Sequence, residues 1–74
     1  MWIFVFFDLP TKTKKERKKY TDFRKFLLKD GFIMMQFSVY SRVCKGADSV
    51  QTHKKRVKEH IPPRGHIRML SITD

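Results

Sequence analysis

The segment from Trp2 to Asp8 constrains the fold of this chain more than any other part of its sequence. Six apolar, strand-favouring residues run without a break and end in a single carboxylate, Asp8. The run is too short to span a bilayer, which requires about 20 apolar residues. It is typical of a strand that is buried on both faces. Asp8 is therefore expected at the edge of the hydrophobic layer, where its carboxylate could hold a metal ion.

The length of the chain predicts a single domain, residues 1–74, with a marginal hydrophobic core. A chain of this size buries only about 60% of the surface that its unfolded form exposes. Its one cysteine, Cys44, cannot form an internal disulfide, and the spacing of His53, His60 and His66 is not that of a zinc site. We therefore expect further burial in a homodimer. One unpaired cysteine and no recognisable signal peptide predict a cytoplasmic protein with no membrane contact.

The chain is strongly basic. Lysine and arginine number 17 and aspartate and glutamate 7, which gives a formal net charge of +10. The positive charges are clustered, and this predicts a polyanionic partner. Nucleic acid is favoured over an anionic membrane surface.

A capping-box pattern predicts the first helix. Thr13 is followed three residues later by Glu16, and the helix is expected to run to about Asp30 and to end before Gly31. Its core-facing stripe consists of Tyr20, Phe23 and Leu27.

The opposite face of this helix carries a row of lysines, here called the lysine ridge. At about 100° per residue its members fall together on one side. They are Lys14, Lys18, Lys25 and Lys29, with Lys12, Lys15, Arg17 and Arg42 expected nearby. We predict that these eight residues bind nucleic-acid phosphates, a contact that does not depend on sequence. A merely solvated charged face is the alternative.

The second half of the chain predicts two strands, a helix and a final strand. Residues 32–44 are strand-like but long for one strand, so a break is expected near Gln36 or Phe37. Asp48 is expected to cap a second helix that runs to about His60, before two prolines. The last strand is expected at residues 66–73. The buried stripe predicted for the second helix consists of Val50, Val57 and Ile61.

This order of elements predicts an α+β fold of the ferredoxin-like βαββαβ type. Its antiparallel sheet carries both helices on one face. The first strand is apolar on both of its faces, so the side that bears Trp2, Phe4 and Phe6 would stay uncovered in a monomer. This favours a dimer formed through the sheet.

Several motifs resemble the Cas2 family of small CRISPR-associated adaptation proteins, often described as endoribonucleases. The segment 6–9 ending in Asp8-Leu9, the basic helix with Arg17, then Gly31, and the motif Gln36-x-Ser38-Val39-Tyr40 carry the resemblance over nearly the whole chain. This sequence departs from the pattern of the family in two ways. Pro10 and Thr11 replace a further acid or polar residue, and the chain stops at Asp74, where many members continue into a tail.

The resemblance implies a ferredoxin-like homodimer in which the two copies of Asp8 meet at the twofold axis. Asp8 is then the catalytic residue and the metal ligand, with one Mg²⁺ per dimer between the two carboxylates. It also implies a dimer that binds protospacer duplex DNA and bridges CRISPR integrase subunits during spacer acquisition. As a nuclease, the dimer would cut single-stranded RNA or DNA.

The chemistry expected at Asp8 is limited by the small number of carboxylates that can reach the metal ion. Mg²⁺ often takes one or two carboxylates with waters and phosphate, so two copies of Asp8 form a minimal set. Ser38 and Tyr40 are expected to line the same cleft, with ordinary edge-facing strand residues as the alternative. His66 is a conceivable general base, although a hydrogen-bonded structural histidine is favoured. The alternative for Asp8 is a turn acid that caps the amides of the following loop.

Three functions stay open from the sequence. The first is a non-catalytic, DNA-binding bridge in the spacer integrase, and the second is a Mg²⁺-dependent endonuclease. The third is a toxin-like ribonuclease of the same fold, as in the VapD family. An RNA-recognition domain is disfavoured because residues 35–45 lack its basic-glycine-aromatic motif.

Overall fold

The computed structural model describes residues 1–73. Its elements follow the order β-α-β-β-α-β. They are β1 (Trp2–Asp8), α1 (Lys14–Lys29), β2 (Ile33–Gln36), β3 (Val39–Val43), α2 (Ala47–Glu59) and β4 (His66–Ile72). The strands form one four-stranded sheet in the order β2-β3-β1-β4, and every neighbouring pair is antiparallel. This confirms the predicted ferredoxin-like fold.

The helices cover one face of the sheet. Ile3, Val5 and Phe7 of β1 point to this face and are buried. They belong to one cluster with residues of both helices, among them Phe23 of α1 and Val57 of α2. The side chains of β1 that point towards the helices therefore form the centre of the core.

Helix α1 begins and ends as its sequence predicts. The Thr13 hydroxyl accepts a hydrogen bond from the Glu16 amide at 3.1 Å, and Glu16 accepts one in return from the Thr13 amide at 3.0 Å. Asp30 is the C-terminal cap, and Gly31 follows with a φ of +93°. The positive φ favours glycine here, and a Cβ atom would also displace the guanidinium of Arg42.

The strand-like segment 32–44 breaks where expected. Strand β2 ends at Gln36, and β3 starts at Val39. The register shifts between Met34 and Gln36, which marks a bulge. A bulge bends the strand with no need for glycine or proline.

Two expectations about α2 are wrong. Gly46, not Asp48, is the N-terminal cap, and Asp48 lies in the first turn, where a negative charge favours the helix dipole. Ile61 is not part of the buried stripe, because the helix ends at Glu59; the Ile61 side chain is 39% exposed. His53 takes that place beside Val50 and Val57.

His53 belongs to a polar cluster that links the two helices. Its Nδ1 lies 2.7 Å from Oδ2 of Asp30, and Nη1 of Arg56 donates to the other oxygen at 2.9 Å. The Asp30 side chain is only 9% exposed. Because a buried carboxylate needs such partners, the cluster fixes the end of α1 against α2.

The capping box generates a test of pH dependence. The hydrogen bond from the Thr13 amide is the main cause that lowers the pKa of Glu16 below its ordinary value of 4.5. A lowered pKa in the folded state stabilises the protein above the unfolded pKa, and this contribution is lost as the pH falls through the folded pKa. We therefore expect Glu16→Gln to be less stable than the parent near neutral pH. The difference should shrink as the pH falls below 4.5 and through the lowered folded pKa, as followed by urea unfolding.

The control for this test is Glu59→Gln, which removes a carboxylate that accepts no hydrogen bond from residues 1–73. It should not produce the same gap. A stability difference between parent and Glu16→Gln that stays constant from neutral to acid pH would contradict the prediction.

Candidate functional site

Asp8 is the last residue of β1, and its side chain is exposed. Because side chains alternate along a strand, Asp8 points away from the helices, to the face of the sheet that also bears Trp2, Phe4 and Phe6. We call this the open face. In the pairing of β1 with β4 it stands directly opposite His66, which is also exposed. Side chains opposite each other in such a pair have Cβ atoms about 5 Å apart. The fold therefore brings together the predicted acid and the conceivable general base.

Gly65 sets the position of this pair. Its φ is +100°, and a Cβ atom there would lie 2.6 Å from the carbonyl oxygen of Asp8 and 2.7 Å from Cδ2 of Leu9. No other residue fits this approach without moving the end of β1. Gly65 was not identified from the sequence as a positioning residue. A turn signal was present, because Gly65 lies between two prolines and the predicted last strand.

A row of aromatic rings extends from Asp8 along the open face. This aromatic ladder consists of Trp2, Phe4 and Phe6, with ring centroids 6.1 and 6.3 Å apart and nearly parallel planes. Phe6 is 39% exposed, and Leu70 of the neighbouring strand is 50% exposed. No helix within residues 1–73 covers this face. It is an apolar surface that ends in a carboxylate.

The lysine ridge is exposed as predicted. All four of its members are exposed, and so are the neighbouring Lys12, Lys15 and Arg17. Lys18 forms an ion pair with Asp22 at 2.9 Å, so part of its charge is offset. Nη1 of Arg17 donates to the carbonyl oxygens of Thr11 and Lys12 and thereby closes the loop before α1.

Arg42 is not part of this surface, which corrects the sequence prediction. The residue is half-buried, and its Nη1 donates to the carbonyl oxygen of Asp30 at 2.6 Å. Because Arg42 points to the helix-covered face of the sheet, its charge closes the C-terminal end of α1 and does not extend the ridge.

Tyr40 does not share a cleft with Asp8 within one chain. Tyr40 is fully buried on the helix-covered face, where its hydroxyl accepts a hydrogen bond from Nε of Arg24 at 2.8 Å. Alternation along the strand puts Tyr40 and Asp8 on opposite faces. Ser38 is exposed in the turn before β3, and its carbonyl oxygen accepts a hydrogen bond from the amide of Phe7. Its role is to close this turn onto β1.

The donor set near Asp8 decides which metal chemistry one chain can support. No group of three or more His, Cys, Asp or Glu side chains in the described part of the chain could hold a metal ion. Asp8 offers one hard oxygen ligand, which suits Mg²⁺, an ion that retains several waters. One subunit therefore contributes a single carboxylate, which is fewer ligands than a metal site built by this chain alone would need.

Gly65→Ala tests how the turn positions Asp8. We expect a loss of about 1–3 kcal/mol in the free energy of unfolding, because alanine is strained at positive φ and its methyl group would press on the end of β1. Urea denaturation measures this loss. The control is Gly46→Ser, where φ is −170° and nothing lies within 4 Å of the new Cβ. Equal stability of the two variants would contradict the assignment.

Comparisons with known proteins bear on the whole chain. The family model of the CRISPR associated protein Cas2 matches residues 1–74. The CRISPR-associated endoribonuclease Cas2 of Flavobacterium psychrophilum is 51% identical over the full chain, which spans 64% of that relative. The protein of the same name from Parvibaculum lavamentivorans is 53% identical, and the chain spans 73% of it.

The fold has a close counterpart among solved structures. The crystal structure of Streptococcus pyogenes Cas2 at pH 6.5 matches with a TM-score of 0.73 at 26% identity, over 99% of this chain and 87% of that one. No helix in the described residues is long and apolar enough to cross a membrane. Family model, relatives and fold agree, and the chain belongs to the CRISPR-associated Cas2 family.

Proposed function

We propose that this protein is a CRISPR adaptation protein that acts as a homodimer and has Mg²⁺-dependent endoribonuclease activity at the dimer interface. The observation that carries the proposal is the position of Asp8, exposed at the end of a strand whose aromatic ladder is uncovered. The names of the relatives, CRISPR-associated endoribonuclease, support the activity. The family match also favours this function over the toxin-like ribonuclease.

In this proposal one residue binds the metal ion and another transfers a proton. Asp8 of each subunit would hold the Mg²⁺, whose bound form supplies an activated water and offsets charge on the phosphate. Two carboxylates at one axis repel each other, so their pairing itself favours a bound cation. His66, opposite Asp8 in the strand pairing, takes a proton from the attacking water at its imidazole.

Asp8→Asn tests the activity. We expect cleavage of a labelled single-stranded RNA in Mg²⁺ to fall by about 100-fold or more, because the amide cannot replace a carboxylate ligand. The side chain is exposed, so the circular dichroism spectrum should not change. Asp48→Asn is the matched control, since Asp48 is an exposed carboxylate on α2. Full cleavage by Asp8→Asn, or equal loss in both variants, would refute the role of Asp8.

The dimer is proposed to form through the open face of the sheet. Phe6→Glu would place a charge within this apolar surface, where desolvation is costly. We expect the parent to sediment with twice the chain mass and the variant with the mass of one chain. Phe37→Glu is the control, because Phe37 is 78% exposed in the turn between β2 and β3. A dimer that survives Phe6→Glu would exclude this interface.

A second function rests on the lysine ridge. We propose that the dimer binds protospacer duplex DNA along this ridge and bridges integrase subunits during spacer acquisition, in the cytoplasm. The exposure of all four ridge lysines on one helix face supports it. Lysine side chains that bind phosphates release counterions and read no sequence, as suits a protein that accepts varied protospacers.

The ridge is tested by replacing Lys14, Lys18 and Lys25 with glutamine. Affinity for a duplex, measured by fluorescence anisotropy, should fall. The slope of log affinity against log salt should become shallower by about 0.9 for each phosphate that a lysine no longer neutralises. The control removes three exposed lysines elsewhere, Lys45, Lys55 and Lys58. If both triple variants bind the duplex equally weakly, net charge alone explains the binding.

Spacer insertion separates the two functions. Asp8→Asn can be co-expressed with the integrase and assayed for new spacers in the array. Unchanged insertion would show that the carboxylate is dispensable for the bridge, whereas loss of insertion together with cleavage would exclude a purely structural role.

A further inference from the structure

A groove runs along the side of α1 that faces the loop between α2 and β4. It consists of two adjoining clefts of about 480 and 160 Å³, whose linings share Lys19, Pro62 and Pro63. Neither Asp8 nor any member of the lysine ridge lines it. We call it the side groove. Its apolar lining includes Leu9, Pro10, Tyr20, Phe26, Pro62 and Pro63.

The charge along the side groove is positive. Lys15, Lys19 and Arg64 line it and are exposed, and no other side chain of residues 1–73 forms an ion pair or hydrogen bond with them. The two carboxylates in the lining already have partners. Glu16 accepts backbone hydrogen bonds at the start of α1, and Asp22 is paired with a lysine of the ridge. Glu16 also lies within electrostatic reach of Arg64, so the lining, with three cations and two carboxylates, carries a small net positive charge.

The dimensions of the side groove suit a short extended chain. From Lys15 to Phe26 the helix rises about 16 Å, at about 1.5 Å per residue. An extended peptide covers this length with about five residues, at about 3.3 Å each.

The two hydroxyls of the lining are not available to a ligand. The Thr13 hydroxyl is engaged in the capping box, and the Tyr20 hydroxyl donates to the carbonyl oxygen of Phe37 at 2.8 Å. Polar recognition in the groove therefore falls to its exposed cations, Lys15, Lys19 and Arg64, whose partners are anions. An apolar side chain between carboxylates matches both the floor and the rim of the groove.

We propose that the side groove binds a short acidic segment of a partner protein. An apolar anchor side chain of that segment packs on Pro62 and Pro63, and its carboxylates pair with Lys15, Lys19 and Arg64. This surface is separate from the proposed nuclease site and from the four lysines of the ridge, although Lys15 borders both the groove and the ridge.

The test uses a defined probe, the capped peptide Glu-Asp-Leu-Phe-Asp-Glu, added to the full ¹⁵N-labelled chain. We expect saturable chemical-shift changes at the amides of Leu9, Tyr20 and Arg64. A peptide with glutamine and asparagine in place of the acids should bind at least about tenfold more weakly. Absence of saturation at millimolar peptide, or shift changes centred on the lysine ridge, would overturn the proposal.

Matched charge reversals on the same helix provide the second readout. Lys15→Glu combined with Lys19→Glu should weaken peptide binding by about tenfold or more, since both cations line the groove. The control combines Lys14→Glu with Lys18→Glu on the ridge and should change it by less than about threefold at physiological salt. Equal weakening would overturn the proposal, and so would displacement of the peptide by a single-stranded oligothymidylate. The mapping on the parent chain decides the matter if a variant does not fold.

Discussion

The structure depends on a first strand that is apolar on both of its faces. One parity of β1, with Ile3 and Val5, is fully buried under the two helices and supplies much of the core of this short chain. Burial of such side chains stabilises a fold by roughly 1.5–3 kcal/mol each. The other parity forms the aromatic ladder and receives no cover within residues 1–73. The same strand therefore forms the core on one face of the sheet and an apolar surface on the other.

Local signals in the sequence were sufficient for most of the architecture. The capping box at Thr13 and the positive φ at Gly31 appear where the residues predicted them, because caps and left-handed glycines depend on neighbours in sequence. The break after Gln36 was also predicted. The misplaced features of α2 concern its ends: Asp48 is a good cap by residue type but lies in the first turn, and Ile61 lies beyond the last helical residue, Glu59.

Long-range interactions were beyond the reach of the sequence. The cluster of Asp30, His53 and Arg56 joins residues 23 and 26 positions apart, and no local pattern announces it. Arg42 resembled a surface cation, yet alternation along β3 turns it towards the end of α1. Asp8 lies exposed at a strand end, as expected, whereas Tyr40 does not line the expected cleft, because its pairing with Val5 turns it to the helix-covered face.

The two basic features of α1 point in different directions. The lysine ridge has charge without an apolar floor, as suits a solvated polyanion backbone. The side groove combines fewer cations with prolines and aromatic rings, and this combination recognises side chains better than phosphates. One helix can thus present separate surfaces because successive lysines differ by about 100° in direction.

The pairing of Asp8 with His66 ties the chemistry of this site to the hydrogen-bond ladder of the sheet. Side chains alternate along a strand, so inserting or deleting one residue in β1 would turn the carboxylate inward and bring a buried neighbour, Phe7 or Leu9, to the outside. Lineages that carry this site can accordingly vary the loops around it in length, but any change in the length of β1 must come in steps of two residues.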